Sequence, residues 1–232
     1  MGTPPHRPGC GRTGAVNWDG PATDAFREEY RASLSPRYSG ALHFAFTTTA
    51  CLSAIAACVA FLRDVAPLEW LALPVTFLIA NGVEYFGHKG PMHHKTRGLG
   101  LVFERHTMSH HRFFAAGRLQ SDTRRDFAIT LFPPVLLGFF FGAVAAPLAL
   151  LAWLAFGRNV ALLFGATALA YYLTYEWLHL SYHLPDSHWV RRLPFVPALS
   201  AHHRTHHDVA LMTQKNFNIT FPIFDALLGT RG

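Results

Sequence analysis

Residues 41–62 read ALHFAFTTTACLSAIAACVAFL, a run whose one ionisable polar residue is His43. As a helix rising about 1.5 Å per residue, such a run matches the hydrocarbon thickness of a bilayer, about 30 Å. Arg63, Asp64 and Pro67 end it. Working outward, a second apolar run extends from Trp70 to Phe86 and stops at Gly87-His88. It is shorter and carries Asn81 and Glu84, so a buried core helix is its alternative reading. From Phe127 to about Tyr182 the chain is again apolar, but too long for one crossing; Gly157-Arg158-Asn159 divides it, and Pro133-Pro134 marks a kink. The expectation is an all-α integral membrane fold of about four transmembrane helices in two hairpins, with spans near 41–62, 68–87, 132–156 and 159–180.

The remaining segments are polar. Residues 1–39, rich in Pro, Gly and Arg, read as a flexible cytosolic tail ending in an amphipathic stretch from Phe26 to Leu34. No apolar segment follows Met1, so no secretory signal is expected. Residues 40–232 form the membrane domain, with 88–126 and 181–232 as a helical, His-rich cap. The chain is 50% hydrophobic and 15% charged, against roughly 25% charged in soluble domains. All but Arg63 and Arg158 of the 20 Lys and Arg residues lie in the tail, the 88–126 loop or the C-terminal segment. The positive-inside rule makes that common side cytosolic. The net charge of +6 is then explained by an anionic leaflet, and no nucleic-acid partner is expected. Cys10, Cys51 and Cys58 form no C-x-x-C pair, which argues against a zinc ribbon or disulfide framework.

The 15 histidines need a chemical reason. Setting aside His6, His43 and His188, they fall into four clusters: His88, His93 and His94; His106, His110 and His111; His179 and His183; and His202, His203, His206 and His207. Residues three or four apart share a helix face, so His106/His110, His179/His183 and His203/His206/His207 are each expected to converge on one ion. The first cluster contains Gly90-Pro91 and is expected to be a helix end that turns. Separate clusters at helix ends on one side are unlike an exposed His-rich tract for loose metal uptake. About ten imidazoles exceed what one ion takes and suit two ions with about five each. Imidazole accepts Zn, Cu, Fe or Ni, so ligand type leaves the metal open. Glu84, Glu176 and Asp208 are candidate outer partners orienting imidazoles through their second N–H, and Asn218 is a further candidate.

In order and spacing, these clusters resemble the fatty acid hydroxylase/sterol desaturase superfamily, whose pattern is H-x(3–4)-H, H-x(2–3)-HH, H-x(2–3)-H and H-x-x-HH. The resemblance runs from about Ala41 to Thr230 and includes the ending Asn216-Phe-Asn-Ile-Thr-Phe-Pro-Ile-Phe-Asp225-Ala-Leu-Leu-Gly-Thr230. It implies a dinuclear centre, usually di-iron (zinc also binds such nitrogen ligands), that uses O2 and external electrons to hydroxylate or desaturate an unactivated C–H bond. Carried over by position, the ligands are His88, His93, His106, His110, His111, His179, His183, His203, His206 and His207, with His94 and His202 adjacent to the pattern. The stretch from Asp122 to Pro134 resembles the fatty acid 2-hydroxylase branch, although the second cluster's H-x-x-x-HH departs from that branch's H-x-x-HH. The implied substrate is an acyl lipid lying in the membrane. No H-P-G-G haem motif of a fused cytochrome b5 domain occurs, so a separate cytochrome b5- or ferredoxin-like donor is expected. Arg124 and Arg125 are candidates for a head-group contact. A sterol or carotenoid hydroxylase or desaturase is the alternative on the same scaffold. A membrane metal-binding or transport protein is the alternative from another class; transporters set their ligands at mid-membrane on broken, repeated helices. A metalloprotease is disfavoured by the lack of H-E-x-x-H.

Overall fold

Long apolar runs fold as helices because a helix satisfies its own backbone N–H and C=O groups where no water can. The computed structural model describes Trp18, residues 20–115 and residues 117–232, and no strand occurs among the described residues. The helix α2 (Gly40–Ala60) starts where Ser39 caps the Leu42 N–H. A 3₁₀ turn (Pro67–Leu71) leads into α3 (Ala72–Gly87), which continues as a π-helical turn over His88–Met92. After the short α4 (Gly100–Phe103), a second π-helical segment covers Glu104–His111. The turn Arg124–Asp126 and α5 (Phe127–Thr130) follow.

Leu131 is extended, and the helix restarts with Pro134 at its first position as α6 (Pro134–Phe139). A π-helical stretch (Phe140–Ala145) joins α6 to α7 (Ala146–Phe156). Gly157, at φ 93°, makes the turn that a side chain would oppose, and α8 (Arg158–Tyr182) runs back as the central helix against α2, α3 and α7. Asn159 ties the two connections together: its amide donates to the Arg63 carbonyl at 2.7 Å and to Glu69 at 3.0 Å. The helices α9 (Val196–His206) and α10 (Ile223–Leu227) complete the chain.

Helices thus occupy 40–60, 67–87, 134–156 and 158–182. Two stretches, Gly40–Ala60 and Arg124–Phe156, are long and apolar enough to cross a membrane. The outer faces stay apolar: Val59 on α2, Val83 and Phe86 on α3, and Leu151 and Leu154 on α7 are all exposed. Apolar bands of this extent suit an apolar surrounding rather than water.

The N-terminal expectation needs correction. Residues 1–17 and 19 lie outside the described residues, but the reading of a flexible tail as far as residue 39 fails from Gly20 onward. There the chain forms α1 (Gly20–Ser33), whose Thr23 and Arg27 are buried. Phe26 and Tyr30 pack on the Phe113, Phe114 and Ile129 cluster, and charge fastens the helix further. Arg31 donates to both oxygens of the fully buried Asp126, at 2.7 and 2.8 Å, and Asp126 also accepts the Asp122 and Thr123 N–H groups. Arg125 donates to the carbonyls of Leu34, Ser35 and Tyr38, which connect α1 to α2.

The start of α2 sits directly on the Arg124 turn. A Cβ at Gly40 would collide with the Arg124 carbonyl oxygen and lie 2.9 Å from the Phe127 Cβ. Both neighbours are at the backbone and have little room to give. Gly40→Ala is therefore expected to destabilise the fold by about 3 kcal/mol or more. A thermal melt in detergent checks this, and an unchanged Tm would contradict the packing described.

Candidate metal centre

The histidine-bearing ends of α3, α8 and α9 meet the π-helical segment Glu104–His111 below one apolar bundle. Two groups result, and all of their members are buried. In the first, ligand atoms of His88, His93, His106, His111 and His206 lie within 4.8 Å of one another; in the second, those of His110, His183, His203 and His207 do. His179 adjoins the second group, its Nε2 standing 3.1 Å from that of His110. All ten expected residues are therefore brought together.

Their distribution differs from the expected pairing. His106 and His110, four apart, were expected to share an ion, but His106 lies with His111 in the first group and His110 in the second. The cause is the π-helix, whose i→i+5 bonding puts residues five apart on one face. His88 and His93, also five apart on a π-helical turn, share a group for the same reason. On α9, which is α-helical, His203 and His207 stay together at i,i+4, while His206 points to the first group.

The second nitrogen of each ring decides what the first can do. A carbonyl only accepts, so an Nδ1 bonded to one must carry the proton. His88 Nδ1 donates to the Phe217 carbonyl at 2.5 Å, His183 to Leu119 at 2.7 Å and His206 to Lys215 at 2.9 Å. His207 donates to Phe114 at 3.1 Å and His110 to Ile129 at 3.2 Å. Thr107 spends its hydroxyl proton on the Met92 carbonyl, so toward His93 Nδ1, at 3.2 Å, its oxygen accepts. Each of these six rings, when neutral, presents a bare Nε2.

Two contacts then stand out. His93 Nε2 lies 3.1 Å from His206 Nε2 in the first group, and His110 Nε2 lies 3.2 Å from His207 Nε2 in the second. Neither member of either pair has a proton to share, so lone pair faces lone pair. A cation between them removes the repulsion. Metal–nitrogen bonds of about 2.0–2.1 Å at right angles set two donors about 3 Å apart, and the neighbouring Nε2 pairs are separated by 2.9 to 3.2 Å. The donor set fits two ions.

Burial opposes a proton as the alternative. It pushes the pKa of His88 down to about 4, that of His183 to about 3 and, with His88 adding repulsion, that of His93 to about 2. Burial and neighbouring imidazoles likewise hold His106, His111, His203 and His206 well below the usual range.

Of the expected outer partners, none is hydrogen-bonded to one of the ten clustered imidazoles. Glu84 accepts from Ile219 N at 2.7 Å and from Thr220 Oγ1 at 2.6 Å, holding the segment that carries the Phe217 acceptor. Glu176 accepts the Phe132 N–H at 3.1 Å. Asp208 is exposed and caps Ala210 N, so the outer role expected of it fails. Asn218 donates to the Asn81 carbonyl and accepts from Phe224 N. Arg125, spent on three carbonyls, and the exposed Arg124 line no cavity next to the histidines. His94 is exposed, while His202 donates to the Asn218 carbonyl at 3.1 Å. The sequence reading missed Thr107 and gave no role to Asp225, which accepts from both Phe217 N and Asn218 N, at 3.0 and 2.7 Å. Backbone acceptors leave no mark in a sequence; Asp225 does, within the closing string.

An apolar cavity of about 220 Å³ reaches the first group. Val83, Phe141, Leu148, Phe164, Ala168 and Tyr172 are among its walls, and His88 is the one candidate ligand lining it. On the opposite side a polar cavity of about 330 Å³ reaches His183 and His203.

The burial shifts fix the sign of a pH effect. The fold holds these imidazoles neutral, whereas the unfolded chain takes up protons near pH 6.5. Stability of the metal-free protein is therefore full above about pH 6.5 and is lost as pH falls from there toward 4, each such histidine removing up to about 1.4 kcal/mol per pH unit. The Tm of chelator-treated protein should be level from pH 8 to 7 and fall steeply below 6.5; a level profile to pH 5 would contradict neutral burial.

The sequence pattern of fatty acid hydroxylases matches residues 73–230, which takes in every histidine of both groups. No curated protein and no solved structure matches the chain. With two buried imidazole groups inside the matched region, the chain belongs to the fatty acid hydroxylase family.

Proposed function

We propose that this protein is a multi-pass membrane hydroxylase that oxidises a C–H bond of an acyl lipid at a dinuclear iron centre facing the cytosol. The observation that carries this reading is the pair of proton-less Nε2···Nε2 contacts, His93/His206 and His110/His207, one in each group. Two iron ions held by these groups would supply O2 activation, with one oxygen atom entering the product and the other leaving as water with two electrons and two protons. The chain's own residues supply position and exclusion. The Nδ1 bonds aim the rings, and the buried aromatic surround keeps bulk water from the centre.

The apolar cavity supports an acyl chain as substrate. Its walls belong to α3, α8 and the interrupted helix 134–156, and its line of aromatic and aliphatic side chains ends at His88. A chain lying there would bring a carbon to the first group. The partial likeness of Asp122–Pro134 supports a position near the 2-hydroxylase branch. Four spans, with the basic segments cytosolic, agree with the helices at 40–60, 67–87, 134–156 and 158–182 and with the charge count. Electrons come from a separate one-electron carrier.

Two measurements test this reading. Purified protein should hold two metal ions per chain, and lipids of expressing cells should include an acyl species heavier by one oxygen that His207→Ala abolishes while membrane insertion is kept. A stoichiometry of one or none would sink the dinuclear reading; a species lighter by two hydrogens would replace hydroxylation by desaturation. The cavity makes a separate prediction. Ala168→Phe fills it on the α8 wall and should move the preference toward shorter acyl chains at unchanged metal content; an unchanged product profile would show that the substrate lies elsewhere.

A further inference from the structure

We propose that Arg27, on α1 and outside the matched region, is a positioning residue for the second ion position, the one formed by His110, His183, His203 and His207. The inference rests on the metal centre proposed above. Arg27 is buried, and its guanidinium donates to the carbonyls of Phe113 and Arg118, both at 3.2 Å, and of Gln120 at 2.8 Å, as well as to Asp122 at 3.0 Å. Its plane also lies 4.4 Å from the Phe113 ring centroid and 5.8 Å from that of Phe114. One cation thus pins both ends of the segment that follows the second histidine cluster.

That segment carries what two ligands need. The Phe114 carbonyl accepts His207 Nδ1 at 3.1 Å, and the Leu119 carbonyl accepts His183 Nδ1 at 2.7 Å. The Phe114 ring stacks on His183, with centroids 3.8 Å apart and planes 19° apart. Ser121 N returns to the His183 carbonyl at 2.7 Å. The first group takes its acceptors elsewhere, from Phe217, Lys215 and Thr107. Loss of Arg27 therefore loosens the orientation of His183 and His207 and leaves the first position's supports in place.

Arg31 provides the control for a purely structural role. It fastens the same helix, through Asp122 and Asp126, and touches none of the acceptor carbonyls. The test is a cobalt(II) titration of the full, chelator-treated chain, followed by absorbance and read as two successive affinities. Arg27→Met is expected to weaken the second ion 10- to 100-fold, the usual cost of removing an outer partner of a metal ligand, with the first affinity kept. Arg31→Met is expected to keep both. Should Arg27→Met fail to fold, Phe114→Leu, which keeps the backbone acceptor and removes the stack on His183, and Arg27→Lys carry the test with the same expected selectivity. Equal weakening of both ions, equal effects of Arg27→Met and Arg31→Met, or unchanged binding in the folded variants would each overturn the proposal. A wild-type chain that binds no cobalt would instead defeat the metal centre itself, so the two failures are distinguishable.

Discussion

The structure depends on one constraint: an imidazole that gives its Nδ1 proton to a backbone carbonyl keeps only a lone pair at Nε2. Five rings are fixed in this way and His93 likewise by the Thr107 hydroxyl, and their Nε2 atoms converge in surroundings that disfavour a proton. Such a cluster is unstable alone and becomes stable around cations. Holding it requires carbonyls fixed in space, and each segment that offers one is held by a buried or half-buried charge. Arg27 holds the segment of Phe114 and Leu119. Arg105 donates to Ala128 and Leu131, at 2.5 and 2.7 Å, on either side of the Ile129 acceptor. Glu84 and Asp225 collect the N–H groups of Phe217 through Thr220. Apart from Asp225, which also faces His202 at 3.5 Å, the charges act on the backbone that orients the ten histidines. Charge-assisted bonds suit that task because they are about twice as strong as neutral ones.

This explains why much of the centre was legible in the sequence and part was not. Histidine spacing identified the ten residues, because only side chains with donor atoms bear on that choice. It did not reveal how they divide, since the division depends on whether a segment is α- or π-helical, and His106 and His110 carry no residue signal for that. Glu84 was singled out for its place four residues before His88, yet it acts through the Ile219 and Thr220 amides. Asp208 has the same sequence proximity to His207 and points outward. Nearness along the chain located carboxylates without indicating which backbone they would face.

The fold was legible to a similar degree and for a similar reason. Apolar runs between Pro, Gly and charged residues gave helices at 40–60, 67–87, 134–156 and 158–182, since desolvation acts on the run as a whole. The N-terminal segment was read only as an amphipathic stretch, because its apolar contacts, through Phe26 and Tyr30, are few and the rest of its attachment is charged. Arg27 and Arg31 look like solvated charges on a short amphipathic helix, and their partners are nearly a hundred residues away in Asp122, Asp126 and the carbonyls around them. A buried arginine that bonds backbone oxygens leaves no periodic trace.

The two histidine groups are not equivalent, and the asymmetry follows from the same geometry. His88 lines the apolar cavity, and no member of the second group does. His183 and His203 line the polar cavity, together with Arg191, Asp186 and Ser200. The proposed hydroxylation would draw on both environments, the apolar one for the carbon and the polar one for protons and water. The π-helical segment supplies both groups, sending His106 and His111 to the first and His110 to the second. An α-helix over the same residues would align His106 with His110 and leave His111 turned away. The wider turn of Glu104–His111 is thus what lets one short segment supply both histidine groups.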